Sequence, residues 1–436
     1  MEWWLTLLII FGSFVILMFA GLPVAFAFML INIVGVIVFW GGVAGLRQLI
    51  LSIFDSVTFF ALVPVPLFLI MGDVLFRSEM GMRMLDALEK LLGRLPGRLS
   101  LVAVAGGTLI GALSGNSWAS AAMLGSVLEP EMEKRGYKKS MALGPIMASA
   151  ILAPIIPPSG LAVLLASLAG ISVGGLLIGG VIPGLVMAAC YAIYIIGMCI
   201  IKPELAPSYE MARLSPWEKL RPTLVYVLPL GVIIFSVMGL MLLGIASPTE
   251  ASAFGALSTF VLAAAYRSLN WQVVKAAFTG TMTTTVMIFM IFCGSIAFSQ
   301  ILAYSGATKG LIEFATSVPV HPIILLIGTQ VIVFFLGMFM EQTSILMITL
   351  PMFMPLCSVF QWNPLWFGVM MLVNISLANI SPPFGIVLFV MKGVSPPGTT
   401  MGDIYSAAIP YCVIDLIVIL LIMAFPQIGL WLPSIM

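Results

Sequence analysis

Apolar runs of about 18 residues or more recur along the whole chain, from "WWLTLLIIFGSFVILMFAG" near its start to "YCVIDLIVILLIMAF" near its end. In hydrocarbon every backbone N–H and C=O needs a partner inside the protein, which leaves helices and closed barrels as the only spanning structures. The length of the runs suits helices, which need about 20 residues at a rise of about 1.5 Å each. The chain therefore reads as an all-α polytopic membrane protein. Its make-up agrees, with 61% of 436 residues hydrophobic and 8% charged.

Charge sets the next limit. The net charge is +1 and the single histidine is His321, which gives no basis for a nucleic-acid reading, since that needs clustered Lys and Arg on a soluble face. Cys190, Cys199, Cys293, Cys357 and Cys412 are scattered through apolar runs without a Cys-x-x-Cys pair, and read as small packing residues. They indicate neither a metal nor a disulfide. The opening "MEWWLTLLIIFGSFVILMFAG" lacks a basic flank and a cleavage site, so it reads as a retained first span with interfacial tryptophans.

Spans are expected near 3–20, 22–42 and 57–76. The amphipathic "RSEMGMRMLDALEKLLGRLPGR" follows, carries five of the 18 Lys and Arg, and should lie on the cytoplasmic surface. Next, a stretch of about 30 apolar residues is split by "SGNS" into halves of roughly 16, each barely long enough to cross. A re-entrant hairpin fits better than two spans, because Lys134, Arg135, Lys138 and Lys139 then close it on the side of the basic surface helix. A run over 140–172 containing "APIIPPSG" crosses outward, and 175–201 returns to the basic loop "KPELAPSYEMARLSPWEKLR". That makes five crossings, an odd number, so the second half starts on the opposite side.

The second half repeats the plan: spans near 223–243, 250–266 and 277–303, a surface segment near 305–320, an apolar segment broken at "MEQTS", a crossing with "SPPFG", and a last span near 403–425. At one constant offset in the numbering, Pro157, Pro158 and Gly160 fall on Pro382, Pro383 and Gly385. Pro130, Leu152, Ala153 and Ile155 likewise fall on Pro355, Leu377, Ala378 and Ile380, and the break at Asn116 falls on Glu341. With the odd crossing count this predicts an inverted-topology repeat of two re-entrant hairpins and two discontinuous helices.

Gly- or Pro-interrupted segments at matching places in inverted halves point to a transporter's binding site. The half-helix before each break ends in free carbonyls suited to a cation, and the one after it begins with free N–H groups suited to an anion. A lone Pro-Pro could be a simple kink; four correlated interruptions argue against that. Ser159, Asn374 and Asn379 could each instead bridge neighbouring helices. Among ionisable residues in apolar segments, Glu341 sits at the second hairpin break and either serves the site or shapes the field of a vestibule, and Glu250 could cap a helix start. Lys392 is read as snorkelling to the cytoplasm, and Asp73 and Asp415 have no obvious partner.

The segments "RLPGRLSLVAVAGGTLIGALSGNSWASAA", "EPEMEKRGYKKSMA", "IIPPSG", "SPTEASAFGAL" and "NISLANISPPFG" resemble, in order and spacing, the large membrane subunit of TRAP transporters, the tripartite ATP-independent periplasmic carriers of bacteria and archaea. The resemblance covers essentially the whole chain. It implies an elevator-type carrier of the bacterial inner membrane, driven by sodium, fed by a soluble periplasmic binding protein, and joined by a small four-helix membrane subunit as a separate chain. A moving transport domain would comprise residues 100–174 and 322–400, against scaffold spans at 1–76, 175–304 and 401–436, with a cytoplasmic arm at 77–99 and a periplasmic arm at 305–321. Sodium sites would map onto Ser114, Gly115, Asn116 and Ser117 with Pro157, Pro158 and Gly160, and onto Glu341, Thr343 and Ser344 with Ser381, Pro382 and Gly385, largely through backbone carbonyls. Glu341 stands where the family is expected to have an aspartate, and both breaks lack the glycine often found just before them.

The leading reading is sodium-coupled symport of an organic acid anion without a cofactor. Asn116, Ser117, Ser159, Gln342, Thr343, Asn374 and Asn379 are the candidate substrate contacts. No Arg lies near the breaks in sequence, so a carboxylate would rely on half-helix N-termini and these side chains. The runner-up is a stand-alone sodium- or proton-coupled anion carrier of similar fold. An intramembrane hydrolase is disfavoured because neither Gly-x-Ser-Gly nor His-Glu-x-x-His occurs. A passive channel would not require two inverted sets of broken helices.

Overall fold

The computed structural model describes residues 2–78, 80–93, 95–207 and 215–436. Glu79 and Arg94 of the basic arm and residues 208–214 of the basic loop lie outside them. All regular structure among the described residues is helical, and seven helical segments are long and apolar enough to cross a membrane.

The first half runs α1 (Trp3–Phe19), α2 (Val24–Phe39), α3 (Val43–Val57), α4 (Pro64–Arg77), α5 (Met80–Leu92), α6 (Arg98–Ser114), α7 (Ser117–Lys134), α8 (Lys139–Ala150), α9 (Gly160–Ala169), α10 (Val173–Gly179) and α11 (Val181–Ile201). The second runs α12 (Pro216–Pro222), α13 (Leu228–Leu242), α14 (Pro248–Ala265), α15 (Trp271–Tyr304), α16 (Ala307–Ser317), α17 (Pro322–Phe339), α18 (Gln342–Val359), α19 (Pro364–Ile380), α20 (Ile386–Val394), α21 (Met401–Ala424) and α22 (Gln427–Leu430). The offset that carries Pro157 onto Pro382 also lays α2 on α14, α6 on α17, α7 on α18 and α9 on α20, with closely matching starts. The repeat is therefore present in the helix boundaries as well as in the sequence.

The two halves interlock. Helix α4 packs on α14 while α15, whose end corresponds to α4, packs on α2; α9 packs on α18 while α20 packs on α7. Within each half the helix before the break packs on the first helix of its hairpin, α8 on α6 and α19 on α17.

One difference between the halves has a plain cause. The span expected at 57–76 starts instead at Pro64, after α3 ends at Val57 and a short 3-10 turn covers Phe60–Leu62. Proline at the first helical position donates no N–H and stops a helix arriving from upstream. At the matching place in the second half stands Phe289, and α15 runs unbroken for 34 residues, starting at Trp271, earlier than the 277 expected. The single run expected over 175–201 is divided between α10 and α11 at Gly180, where a β-carbon would strike the Ile155 carbonyl; glycine lets this junction press against the first break.

Residues 141–150 of α8, 160–167 of α9 and 366–380 of α19 are buried on every side, so they form the centre. Outer helices keep large apolar side chains exposed, among them Ile193, Phe235, Val261 and Leu416, a surface suited to lipid.

Candidate transport site

At the first tip, α6 ends at Ser114 and Gly115 turns the chain with φ of 61°, a left-handed conformation that glycine reaches without strain. Asn116 then caps α7, its Oδ1 accepting the N–H groups of Trp118 at 2.9 Å and Ala119 at 3.1 Å. The Ser114 and Ser120 hydroxyls lie 3.0 Å apart. Helix α4 presses on this tip at Gly72, where a β-carbon would come within 2.6 Å of the Leu113 carbonyl.

The second tip repeats the device with a charge. Glu341 caps α18, its carboxylate accepting the Thr343 hydroxyl at 2.9 Å and the Ser344 N–H at 3.2 Å. Gln342, Thr343 and Ser344 are buried.

The first break is a run of turns from Ile151 to Ile156, then Pro157–Pro158, then Ser159, whose hydroxyl donates to the Pro154 carbonyl at 2.7 Å and accepts the Ala162 N–H at 3.2 Å to cap α9. At the second break α19 continues to Ile380, and the Gly385 N–H donates to the Ser381 carbonyl at 3.0 Å across Pro382–Pro383. Both Pro-Pro peptide bonds are cis.

The tips meet. One cavity of about 100 Å³ is lined by Gly115 and Asn116 of the first tip, Gly160 after the first break, and Glu341, Gln342 and Thr343 of the second, closed by Val65 and Leu69 of α4 and Thr284 of α15. Asn116, Leu69 and Thr284 also line a second cavity of about 290 Å³, together with Asp73, Arg77, Ser114, Gly280 and Thr281. Beyond this a groove continues past Arg77 to Gln272 and Lys275 near the start of α15. Hydroxyls, amides and one carboxylate around a small cavity form a set of hard oxygen donors.

Residues 11–428 match the family described as the tripartite ATP-independent periplasmic transporter, DctM component. The chain belongs to this family. It is 28% identical to the C4-dicarboxylate TRAP transporter large permease protein DctM of Pseudomonas aeruginosa, over 89% of this chain and 90% of that one. Identity to the sialic acid TRAP transporter large permease protein SiaM of Vibrio cholerae is 27%, over 96% of each. Its fold is similar to the crystal structure of the Alcanivorax borkumensis YdaH transporter, with a TM-score of 0.60 over 90% of each chain at 16% identity. This DctM-family chain is thus a multi-pass inner-membrane protein.

The permease does not gather all the residues singled out from its sequence. Asn116, Gln342, Thr343, Gly115, Gly160, Glu341 and Ser114 line the two cavities; Ser117, Pro157, Pro158, Ser159, Ser344, Asn374, Asn379, Ser381, Pro382 and Gly385 line neither. Asn374 bridges helices, donating to the Gln330 backbone carbonyl at 2.7 Å and its side-chain oxygen at 2.9 Å. Asn379 donates to the Ile375 carbonyl at 3.2 Å, and its Oδ1 is buried without a partner. Glu250 forms a capping box with Ser247, Lys392 donates to the Thr399 carbonyl, and Asp415 accepts from the Tyr191 hydroxyl.

The expectation that no Arg lies near the breaks is corrected by the fold. Arg77 ends α4 and reaches the cavity of Ser114 and Asn116, paired with Asp73 at 3.6 Å, which supplies the partner that the sequence did not reveal for Asp73. Also missed were Thr281 and Thr284, although "TGTMTTT" in the middle of an apolar run is a visible hydroxyl signal.

Proposed function

We propose that this chain is the carrier of a sodium-coupled uptake system for an organic acid anion, loaded by a periplasmic binding protein and assembled with a separate small four-helix membrane subunit. The carrying observation is the meeting of Gly115 and Asn116 with Glu341, Gln342 and Thr343 beside Gly160 in one cavity between repeated halves. Sodium, as cargo, would be held by the hydroxyls and backbone carbonyls of the tips and breaks, oxygen ligands that suit a hard cation. The anion would meet the free N–H groups at the starts of the half-helices and the amides of Asn116 and Gln342. Two of the relatives are named for C4-dicarboxylate and sialic acid transport, which supports a carboxylate as the substrate class.

In this reading α6–α7 enters from the cytoplasm and α17–α18 from the periplasm as re-entrant hairpins of an inverted repeat. Residues 100–174 and 322–400 form the moving elevator body; 1–76, 175–304 and 401–436 form the scaffold, with arms at 77–99 and 305–321. The interlocking of α4 with α14 and of α2 with α15 supports a fixed frame.

The test is uptake of labelled succinate and N-acetylneuraminate into proteoliposomes holding this chain and its small partner, with the binding protein outside. Uptake should require both the sodium gradient and the binding protein. Undiminished uptake with potassium or choline in place of sodium defeats the coupling. Equal uptake without the binding protein replaces the tripartite reading with a stand-alone carrier.

A further inference from the structure

The walls of the cavity beyond the tips carry a set of groups that the tip-and-break geometry does not use. Arg77 and Asp73 project from α4, one turn apart, as an ion pair at 3.6 Å with side chains 36% and 27% exposed. Opposite them is Gly280 of α15; a β-carbon there would collide with the Asp73 carboxylate and come within 3.1 Å of an Arg77 guanidinium nitrogen. The absence of a side chain is therefore what lets the pair lie against α15. One residue on, Thr281 lines the same cavity, is only 7% exposed, and its Oγ1 has no hydrogen-bond partner. Asn116 and Ser114 of the first tip form the facing wall.

A guanidinium, an unpartnered hydroxyl and a side-chain amide around about 290 Å³ form a receptor for a carboxylate with a polar body. At 3.6 Å the pair is longer than a well-formed charge-assisted hydrogen bond, which leaves the guanidinium able to change partners.

We propose that Arg77, with Thr281, is a carboxylate-binding station on the static wall between the hairpin tips and the cytoplasmic groove, and that Asp73 is the built-in carboxylate that reclaims Arg77 when the substrate leaves. The proposal deepens the uptake reading and rests on it for the identity of the ligand, but its geometry belongs to this chain alone. Asp73 competes with the substrate for one guanidinium, so binding at Arg77 stays weak and release stays fast. Lys275, further along the groove, continues the positive path outward.

A structural ion pair and an exchangeable one differ in sign. If the pair only holds α4 in place, removing either partner has the same effect on carboxylate binding in the cavity. If Arg77 serves an anion and Asp73 competes, Arg77→Gln weakens that binding and Asp73→Asn strengthens it. The test places a thiol at Ala119, which lines the same cavity, and measures how far succinate, against sodium chloride of equal ionic strength, slows its reaction with the uncharged reagent methyl methanethiosulfonate. It uses the chain with its small partner in proteoliposomes, with the parent lacking the new thiol as background for its own five cysteines. Succinate serves only as a carboxylate probe, and neither a sodium gradient nor a binding protein is required, so a failure here is separate from a failure of the uptake reading.

The succinate concentration for half-maximal slowing is expected to rise several-fold in Arg77→Gln, the loss of one guanidinium contact to a carboxylate. It should change little in Arg77→Lys and fall several-fold in Asp73→Asn. No slowing in the parent, an unchanged concentration in Arg77→Gln, or a shift of both variants in the same direction overturns the proposal. Should Arg77→Gln fail to fold, Asp73→Asn decides alone, and a concentration that does not fall overturns it.

Discussion

Asn116 and Glu341 hold the same post in the two halves: each caps the first turn of the second helix of its pair, one with an amide oxygen and the other with a carboxylate. The equivalence separates two roles of Glu341 that a single deletion would confuse. Glu341→Gln keeps an acceptor for the Ser344 N–H and should leave the melting temperature close to that of the parent, while Glu341→Ala should lose about 1 kcal/mol with the cap. If the charge at this tip also helps hold sodium, Glu341→Gln will raise the sodium concentration for half-maximal uptake several-fold at unchanged stability. Sodium titration of uptake beside melting curves checks both, and an unshifted titration assigns the residue to capping alone.

The matched glycines after the two breaks should not tolerate a methyl group equally. A β-carbon at Gly385 would lie 2.5 Å from the Asn379 carbonyl oxygen and 2.9 Å from the Ser381 nitrogen, both backbone atoms that cannot step aside. At Gly160 the nearest atom is a Val65 methyl at 4.0 Å. Gly385→Ala should therefore destabilise by about 2 kcal/mol or more through overpacking, and Gly160→Ala by less than about 0.5 kcal/mol. Thermal unfolding of the two variants in the same detergent reads the difference, and equal losses would refute it.

Glu129 ties the first hairpin to the far half of the chain. Fully buried on α7, its carboxylate accepts from Ser395 at 2.6 Å, Thr399 at 3.2 Å and Lys139 at 3.4 Å, so the loop between α20 and α21 is fastened to α7. Glu129→Ala leaves the Ser395 and Thr399 hydroxyls without this acceptor, while Lys139 keeps Glu133, and should cost about 1–3 kcal/mol. Limited proteolysis should show new cleavage between residues 394 and 400, with sites elsewhere unchanged. Loss of stability without cleavage there would mean that the loop is held by other contacts.

Tyr191 of α11 and Asp415 of α21 are both fully buried; the hydroxyl donates to Oδ1, and Oδ2 has no partner. Tyr191→Phe strips the Asp415 carboxyl group of this donor, whereas Asp415→Asn keeps an oxygen that can accept it. Tyr191→Phe should therefore destabilise more than Asp415→Asn, and the double variant should recover about 1–3 kcal/mol of the summed loss as coupling energy. Additive losses in this cycle would show that the pair is not coupled.

The positions of the breaks and the tips were legible in the sequence because helix interruption is a local matter, written in Pro157, Pro158, Pro382, Pro383 and in the polar residues at 114–117 and 341–344. The repeat was legible because the same punctuation returns at one offset. Helix α3 was not, since Arg47 and Asp55 interrupt the apolar run between the spans expected at 22–42 and 57–76. Arg77 escaped for a different reason. At the end of a span it reads as a surface residue, and only the packing of α4 between the first tip and α15 brings residues 73, 77, 116 and 281 to one cavity. Asn374 shows the converse, a polar residue close to a break whose hydrogen bonds join α19 to α17 rather than facing the site.

The exchange of partners between the halves also has a consequence for biogenesis. Helices α2 and α4 reach their packing partners α15 and α14 only after on the order of 200 further residues have been made, which at about 5–20 residues per second is about 10–40 s of translation. For that interval the nascent first half sits in the bilayer with two faces uncovered, one of them bearing Asp73 and Arg77. A ribosome that stalls between α11 and α14 leaves an ion pair facing lipid or the insertion machinery, so the first half by itself should be a substrate for membrane quality control rather than a stable domain.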